Sequence, residues 1–405
     1  MSRQIERLRD GSVTSPVGFS AGAVHCGIKS DASKPDLVML LADRACSVAG
    51  TFTANRFAAA PVLLDREVVK NGSARGVVIN SGNANACTGE QGLENARLMA
   101  RLAAERFGLA ADEVLVASTG VIGVQLPVDR VRSGVRDLTL SEDGGHLAAR
   151  GIMTTDSRPK EVAVEIGLSG GKRARLGGMC KGAGMIHPNM ATMLAFVTTD
   201  AAAPAEFLRS ALTAAVADSF NMISVDGDTS TNDSVLVLAN GASGAAELDG
   251  GGPESMLFQA ALNEVCQYLA TSIVADGEGA ERTMRIEVRG APSDRDARLA
   301  ARAIAGSSLV KAALHGADPN WGRILCAAGY SGAAFEPARA ELAIGRVQLV
   351  REGAPLAFDR SAASDAMAES EIQVVLDLHS GDARAVAWGC ELTEAYVVEN
   401  SAYTT

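Results

Sequence analysis

Short apolar runs alternate along the chain with longer stretches in which an apolar residue recurs every three or four positions. The run Gly76–Asn80 predicts a buried strand, and the next stretch predicts a helix. The apolar face of that helix is formed by Leu93, Ala96, Met99, Ala100, Ala103 and Phe107. Gly108 is placed to end the helix, and Val114–Ala117 predicts the following strand. This order of elements indicates a mixed α/β protein.

The second half of the chain predicts two more long helices. Pro253 suits the first turn of a helix, and apolar residues follow it at four-residue intervals. These residues are Leu257, Ala261, Val265, Leu269 and Ile273. We expect the helix to end in a loop at Asp276–Gly279, and we expect a single further helix between Asp294 and Leu314.

Strand patterns are concentrated at the C-terminal end. The segments predicted as strands are Ala340–Val350, Glu371–Leu378, Ala383–Cys390 and, close to the terminus, Ala395–Val398. Another strand-like run, Met193–Val197, follows a glycine-rich segment. The polar residues after Val398 are either a frayed end or a tail that folds back over a site.

Length and charge narrow the range of functions. A chain of 405 residues predicts more than one packed unit, and 47% hydrophobic with 21% charged residues is typical of a globular protein. The net charge of -11 argues against nucleic acid and anionic membranes as partners. The N-terminus has no signal-peptide pattern, and the sequence has no run of eighteen apolar residues, so a cytoplasmic protein is expected.

The candidate metal ligands are dispersed. The seven cysteines occur singly, without a CxxC pair, and the five histidines are equally scattered. This pattern is typical of reduced, mostly buried thiols, and it predicts no metal site built from neighbouring residues.

The segment from Gly177 to Leu194 is unusually rich in glycine and contains Lys181. Its ordinary interpretation is a tight turn with a solvated lysine, while the alternative is a backbone that approaches a ligand closely. Neither a phosphate loop nor a dinucleotide-binding motif is supported, because GxxxxGK[ST] is absent and no GxGxxG follows the predicted strand at Ala74–Ser81. Thr192, which opens an apolar run, is by itself typical of a strand residue.

Two acidic segments allow similar alternatives. Asp226, Asp228 and Asp233 lack the spacing of a calcium loop, which favours a polar turn over a cation site. Glu278 lies between two glycines, which is compatible with either a ligand contact or a plain turn.

Eight separated motifs, in this order, resemble the ornithine acetyltransferase family, the glutamate N-acetyltransferases of arginine biosynthesis. The resemblance extends over nearly the whole chain. The motifs are Asn80–Cys87, Ser118–Gly123, Met153–Asp156, Lys181–Leu194, Asp226–Asn232, Asp276–Gly279, Asp318–Arg323 and Asn400–Thr405.

The resemblance implies a precursor that cuts itself between Ala191 and Thr192. The fragments would be an alpha chain, residues 1–191, and a beta chain, residues 192–405. The new N-terminal amine, with a pKa of about 8, can serve as general base for the Thr192 hydroxyl. The implied fold is α/β (α+β), with layered sheets and helices loosely similar to N-terminal-nucleophile enzymes and a smaller C-terminal domain.

The implied reaction is acetyl transfer from N2-acetylornithine to glutamate through an acetyl-Thr192 enzyme, giving ornithine and N-acetylglutamate. Thr119 and Gly120 would stabilise the oxyanion. The implied substrate-binding residues are Thr154, Lys181, Thr192, Glu278, Asn400 and Thr405. Lys181 would offset the substrate carboxylate, and Glu278 the ornithine ammonium group.

The resemblance implies no cofactor or metal, with acetyl-CoA as a possible co-substrate. The alternatives are an N-terminal-nucleophile amidohydrolase or aminopeptidase, and an uncut binding protein. Besides amino-acid substrates, the implied partners are the two fragments themselves, assembled as two copies of each.

Overall fold

The computed structural model describes residues 5–187 and 193–402. Its strands are β1 Ile5–Arg7, β2 Phe19–Val24, β3 Leu37–Phe52, β4 Ser73–Asn83, β5 Val114–Val121, β6 Lys160–Gly167, β7 Arg173–Lys181, β8 Leu194–Thr199, β9 Ile223–Ser224, β10 Ser234–Ala239, β11 Thr283–Ala291, β12 Glu341–Ile344, β13 Val347–Arg351, β14 Ala354–Pro355, β15 Glu371–Asp377 and β16 Ala383–Cys390. Its α-helices are α1 Ala60–Val68, α2 Gly89–Phe107, α3 Val128–Asp137, α4 Gly145–Gly151, α5 Ala205–Ala217, α6 Pro253–Val274, α7 Asp294–Gly306, α8 Ser308–His315, α9 Trp321–Gly329, α10 Arg360–Met367 and α11 Glu394–Ala402.

The first sheet interleaves distant parts of the chain. Among the described residues its order is β1-β6-β7-β8-β10-β3-β4-β5, and β2 pairs with β3 outside this path. Strands β8 and β10 run parallel to each other and lie between β7 and β3, with which they pair antiparallel. Strands that precede residue 188 therefore enclose two strands that follow it.

The two central strands are buried on both faces. In β8, Leu194 and Phe196 face one apolar cluster, whereas Ala195 and Val197 face another. The continuous apolar pattern of this strand follows from its central position, because both pleat faces meet packed side chains. Helices α1, α2 and α3 pack at the β3-β4-β5 end of the sheet.

The second sheet has the order β14-β13-β12-β15-β11-β16-β9. Helix α6 contacts β6 and β7 of the first sheet as well as β16 and β9 of the second, and α7 covers β11 and β16. One apolar cluster runs through both sheets and these helices. The predicted α/β class with layered sheets and helices is confirmed.

Most of the predicted elements are present. Helix α2 ends where Gly108 adopts a φ of 69°, a left-handed conformation that glycine adopts without strain. Helix α6 begins at Pro253, and four of its five predicted apolar positions are buried. The predicted strands in β4, β5, β8, β15 and β16 are also confirmed.

Three element predictions are wrong. The single helix from Asp294 to Leu314 is two helices, because Ser307 turns the chain with ψ 114° and its hydroxyl accepts the Val310 N–H of the next helix. The strand from Ala340 to Val350 is the β12-β13 hairpin, whose turn contains Gly345 at φ 55°.

The third error concerns Ala395–Val398, which lies in helix α11 rather than in a strand. Val397 and Val398 favour a strand by residue type, but both are exposed. The helix begins beside Thr393, whose hydroxyl accepts the Tyr396 N–H at 3.2 Å. In the part of the chain described, no helix is long and apolar enough to cross a membrane.

Candidate active site

One cleft collects the predicted site residues. It is partly open to solvent and lies at the ends of β5 and β7. The predicted residues that line it are Thr119, Gly120, Thr154, Lys181, Glu278 and Asn400. The remaining predicted residues, Ala191, Thr192 and Thr405, lie outside the described part of the chain.

Thr119 and Gly120 lie at the end of β5, where that strand pairs with β4. Gly120 has a φ of 132°, and a Cβ atom there would overlap the backbone of Gly82. Glycine is therefore required for the close approach of the two strands. Asn232 supports the same rim, since its amide donates to the carbonyl oxygens of Ala84 at 2.6 Å and Ser118 at 2.8 Å.

Lys181 is the last residue of β7, and it is 2% exposed. This burial excludes the ordinary interpretation of the segment as a turn with a solvated lysine. Its partner across the sheet is Leu194, the first residue of β8. Burial lowers the pKa of Lys181, against the opposing effect of the Asp156 carboxylate. Thr192 lies in the chain between Lys181 and Leu194. The two residues that flank this connection are therefore neighbours in the sheet.

Asp156 links three parts of the cleft wall. Its Oδ1 accepts hydrogen bonds from Lys160 Nζ and the Gly182 N–H, both at 2.6 Å. Its Oδ2 accepts the N–H of Thr154 at 3.0 Å. Burial alone would raise the pKa of Asp156, but the Lys181 and Lys160 cations lower it to about 2. The carboxylate thus fixes Thr154 and the turn after Lys181 in one frame.

Glu278 lies in the predicted loop after α6. Its N–H donates to the Ala183 carbonyl oxygen at 3.0 Å, and its Oε2 accepts the Asn400 amide at 2.9 Å. A Cβ atom at Gly184 would overlap the Glu278 carboxylate. The glycine-rich segment therefore leaves room for this carboxylate inside the cleft.

Asn400 reaches the cleft from α11. The Thr393 hydroxyl just before this helix donates to the Gly279 carbonyl oxygen at 2.7 Å, which ties the helix to the Glu278 loop. Up to Ala402, the C-terminal segment folds back over the site, which agrees with the second of the two alternatives left open by the sequence.

Two carboxylates hold the chain on either side of residues 188–192. Asp226 accepts the backbone N–H groups of Met185 and Ile186, the latter at 2.9 Å. Asp233 accepts the N–H of Met193 at 2.9 Å. The segment that contains both is a polar turn, as predicted, with an additional role in anchoring this connection. Among the described residues, no group of three or more His, Cys, Asp or Glu side chains is arranged to hold a metal ion.

Sequence reasoning missed the supporting residues Asp156, Ser230 and Asn232, although each lies within a recognised motif. Ser230 and Asn232 line the cleft, and Asp156 supports its wall. Their roles depend on contacts with residues far along the chain, which the local pattern does not contain.

The arrangement suits a small amino acid. A buried ammonium group at Lys181 and a carboxylate at Glu278 provide opposite charges within one cleft. Thr119 and Gly120 line the same cleft at the end of β5.

Comparison with known proteins identifies the family of this chain. The model of the ArgJ family matches residues 20–405. A relative from Symbiobacterium thermophilum, named arginine biosynthesis bifunctional protein ArgJ, is 52% identical, and the match covers 98% of this chain and 99% of the relative.

Two solved structures cover about half of the chain. One, of arginine biosynthesis bifunctional protein ArgJ from Bacillus halodurans, is 42% identical with a TM-score of 0.50, covering 51% of this chain and 98% of that one. The other, of ornithine acetyltransferase complexed with ornithine from Mycobacterium tuberculosis, is 37% identical with a TM-score of 0.42, covering 45% of this chain and 98% of that one. The family match and the first relative show that this chain belongs to the ArgJ family.

Proposed function

We propose that this protein transfers the acetyl group of N2-acetylornithine to glutamate, with Thr192 as the nucleophile, in arginine biosynthesis. The observation that carries the proposal is the convergence of the six described candidate residues on one cleft. Opposite charges at Lys181 and Glu278 fit an amino-acid substrate that has a carboxylate and, in ornithine, an additional ammonium group.

We propose that the nucleophile is generated by self-cleavage at Ala191–Thr192. The Thr192 hydroxyl attacks the Ala191 carbonyl carbon, the peptide C–N bond breaks, and the Thr192 nitrogen takes up the hydroxyl proton. Water then hydrolyses the resulting ester and releases the carboxylate of Ala191. The anchoring of the chain by Asp226 before this segment and by Asp233 after it supports the proposal, because attack requires a fixed geometry.

Acetyl transfer proceeds in two similar stages. The Thr192 amine accepts the hydroxyl proton while the hydroxyl oxygen bonds to the acetyl carbon, and ornithine leaves with that proton. The glutamate amine then attacks the acetyl carbon, the ester C–O bond to Thr192 breaks, and the proton lost by the glutamate nitrogen passes through the Thr192 amine to the Thr192 oxygen. Each stage passes through an oxyanion, to which Thr119 and Gly120 would contribute stabilisation. The scheme predicts ping-pong kinetics.

The interleaved sheet supports two fragments, residues 1–191 and 192–405, that stay together after cutting. Strands β8 and β10 of the second fragment pair with β7 and β3 of the first. The Bacillus halodurans chain, almost all of which matches only 51% of this chain, has the length expected of one fragment. We propose assembly with two copies of each fragment, which a measurement of mass in solution would test.

The word bifunctional in the relative's name favours a second activity, the acetylation of glutamate by acetyl-CoA. The same acetyl-Thr192 intermediate would serve both donors. No further cofactor is part of the proposed reaction, and we place the enzyme in the cytoplasm.

The test is an assay with N-acetylornithine as donor, with and without glutamate, and a separate assay with acetyl-CoA. We expect N-acetylglutamate to form, and Thr192→Ala to be uncut and inactive. The control is Thr213→Ala, which removes an exposed hydroxyl from α5 and should leave activity unchanged. Hydrolysis to acetate and ornithine at the same rate with or without glutamate would indicate an amidohydrolase, and would contradict the proposal.

A further inference from the structure

Asn232 lines the cleft, but its side-chain amide is fully engaged with other parts of the protein. The residue is 5% exposed. Its Nδ2 donates to the carbonyl oxygens of Ala84 at 2.6 Å and Ser118 at 2.8 Å. Its Oδ1 accepts the Thr231 hydroxyl at 2.5 Å. A side-chain amide has two N–H donors, so Asn232 has none left for a substrate.

The segment that precedes β10 holds Asn232 in a fixed position. Thr53, directly after β3, donates its hydroxyl to the Ser230 carbonyl oxygen at 2.7 Å. Ala59, directly before α1, donates its N–H to the Thr231 carbonyl oxygen at 2.8 Å. The segment is therefore tied to β3 and α1 before the Asn232 amide reaches the ends of β4 and β5.

Strand β5 is the last strand of the first sheet among the described residues, so one of its edges faces β4 and the other does not. The Val116 N–H donates to the Asp65 carboxyl group of α1 at 2.9 Å, which assigns Val116 to the edge away from β4. Alternate residues of a strand direct their N–H and C=O groups to the same edge. The Ser118 carbonyl and the Gly120 N–H therefore belong to this edge too, where Asn232 binds the carbonyl.

We propose that Asn232 is a positioning residue for the groups of Thr119 and Gly120 that stabilise the oxyanion. This inference rests on the proposed function. The peptide group between Ser118 and Thr119 is planar, so a hydrogen bond that fixes its carbonyl oxygen also fixes the backbone at which Thr119 begins. The Thr119 hydroxyl and the Gly120 N–H follow directly. Asn232 thus sets the direction of both groups through Ser118, without contacting the substrate.

A role of this kind affects the transition state rather than the bound substrate. Oxyanion donors act on the charge that develops as the acetyl carbon becomes tetrahedral, and they are most effective when their directions are fixed beforehand. Both stages of the proposed reaction form such an oxyanion, one when Thr192 attacks N-acetylornithine and one when glutamate attacks the acetyl ester. A loosened peptide at Ser118 should therefore slow both stages by a similar factor and leave KM almost unchanged.

The test compares Asn232→Asp with Asn240→Asp. Aspartate keeps the shape of asparagine but can donate at most one proton, so it cannot hold two carbonyl oxygens. Asn240 lies after the opposite end of β10, outside the cleft, and is 7% exposed. Its amide donates to the Val17 carbonyl oxygen at 2.8 Å, and its Oδ1 accepts the Ala242 N–H at 3.0 Å. Asn232→Ala, which adds no charge, is the second variant, and thermal unfolding checks that each variant is folded.

The decisive readout is the rate at which the cut protein gains an acetyl group from N-acetylornithine and loses it to glutamate, followed in a single turnover by intact mass. Partial misfolding lowers the fraction of protein that is acetylated, but it does not change the rate constant of the folded fraction. We expect both rate constants to fall roughly 10- to 100-fold in Asn232→Asp and in Asn232→Ala, with steady-state KM within about twofold of the wild type. Asn240→Asp should have the rate constants of the wild type.

Rate constants of the two Asn232 variants that equal those of Asn240→Asp would overturn the inference. A change in only one of the two stages, or a rise in KM as large as the loss of rate, would overturn it as well, because Asn232 would then act on one bound substrate. The wild-type protein separates these failures from failure of the proposed function. If the wild type gains no acetyl group, the proposed function is wrong; if it gains the group and passes it to glutamate, only the role of Asn232 fails.

Discussion

At the scale of single residues, the electrostatic centre of the cleft is the pair of lysines that share Asp156. Lys160 bonds to Asp156 at 2.6 Å and to Asp276 at 2.5 Å, and all three side chains are almost fully buried. Lys181 adds a second cation close to the same carboxylate. Because Asp156 also holds Thr154 and Gly182 through their N–H groups, charge and shape at this site depend on one side chain.

We predict that Asp156→Asn lowers the free energy of unfolding at neutral pH by about 3 kcal/mol, because two buried cations lose their shared counter-ion. The pKa of Asp156 is about 2 in the folded protein, below its value in the unfolded chain. Its contribution is therefore present above about pH 4 and is lost as the pH falls towards 2. Denaturant unfolding of both proteins at several pH values measures this difference, which should shrink on acidification. A difference independent of pH would contradict the assignment.

Gly184 makes room for the Glu278 carboxylate, so Gly184→Ala should displace that group. We predict that KM for N-acetylornithine rises roughly tenfold, the size of one lost charged contact. The control is Gly167→Ala, where a Cβ atom meets nothing within 4 Å. The measurement is KM for N-acetylornithine in both variants by steady-state kinetics. Equal KM values would show that Gly184 has no role in placing Glu278.

At this scale the sequence allowed some residues to be predicted and not others. The resemblance identified Lys181 and Glu278, and the glycines around Glu278 were compatible with a ligand contact. The burial of Lys181 was not predicted, because it depends on the ion pairs around Asp156 rather than on its neighbours in sequence.

At the scale of elements, α11 brings Asn400 to the cleft. The helix has no buried residues, and hydrogen bonds near both of its ends hold it in place. The Thr393 hydroxyl donates to Gly279 and accepts from Tyr396, while Asn400 donates to Glu278.

Thr393→Val removes both hydroxyl contacts and keeps the shape of the side chain. We predict faster proteolysis within α11 and a several-fold higher KM, because Asn400 is less well placed, with about 1 kcal/mol lost at the start of the helix. Ser401→Ala, which removes an exposed hydroxyl within the same helix, is the control. Unchanged proteolysis and KM in Thr393→Val would show that these contacts do not hold the helix.

The incorrect element predictions share a physical cause. Val397 and Val398 favour a strand by residue type, but a strand needs a neighbour with which to form hydrogen bonds, and α11 satisfies its backbone internally. The apolar residues continue at regular intervals across Ser307 and across Gly345. The chain nevertheless turns at both positions, so one predicted helix is two helices and one predicted strand is a hairpin. Long periodic segments such as α2 and α6 were predicted because packing and local preference agree there.

At the scale of the whole molecule, the first sheet explains how a chain cut near its middle can stay folded. The strands on either side of the proposed cut are direct neighbours, with Lys181 opposite Leu194. The order of strands in this sheet was beyond prediction from the sequence, since the placement of β8 and β10 between β7 and β3 depends on pairing between distant segments.

We predict that the two fragments separate only on unfolding. Size-exclusion chromatography under native conditions should give one species that contains both fragments, and denaturant should release them together in one transition, because one apolar core spans both. Elution of a free fragment under native conditions would contradict the shared core.

The central claim is that cutting creates a threonine that carries the acetyl group. The most direct test is the intact mass of the purified protein before and after exposure to N-acetylornithine, followed by glutamate. We predict two masses, for residues 1–191 and 192–405, of which only the second gains one acetyl group, located on Thr192 and lost again on addition of glutamate. A fully active protein with the single mass of the uncut 405-residue chain, or an acetyl group carried on any other residue, would contradict the account.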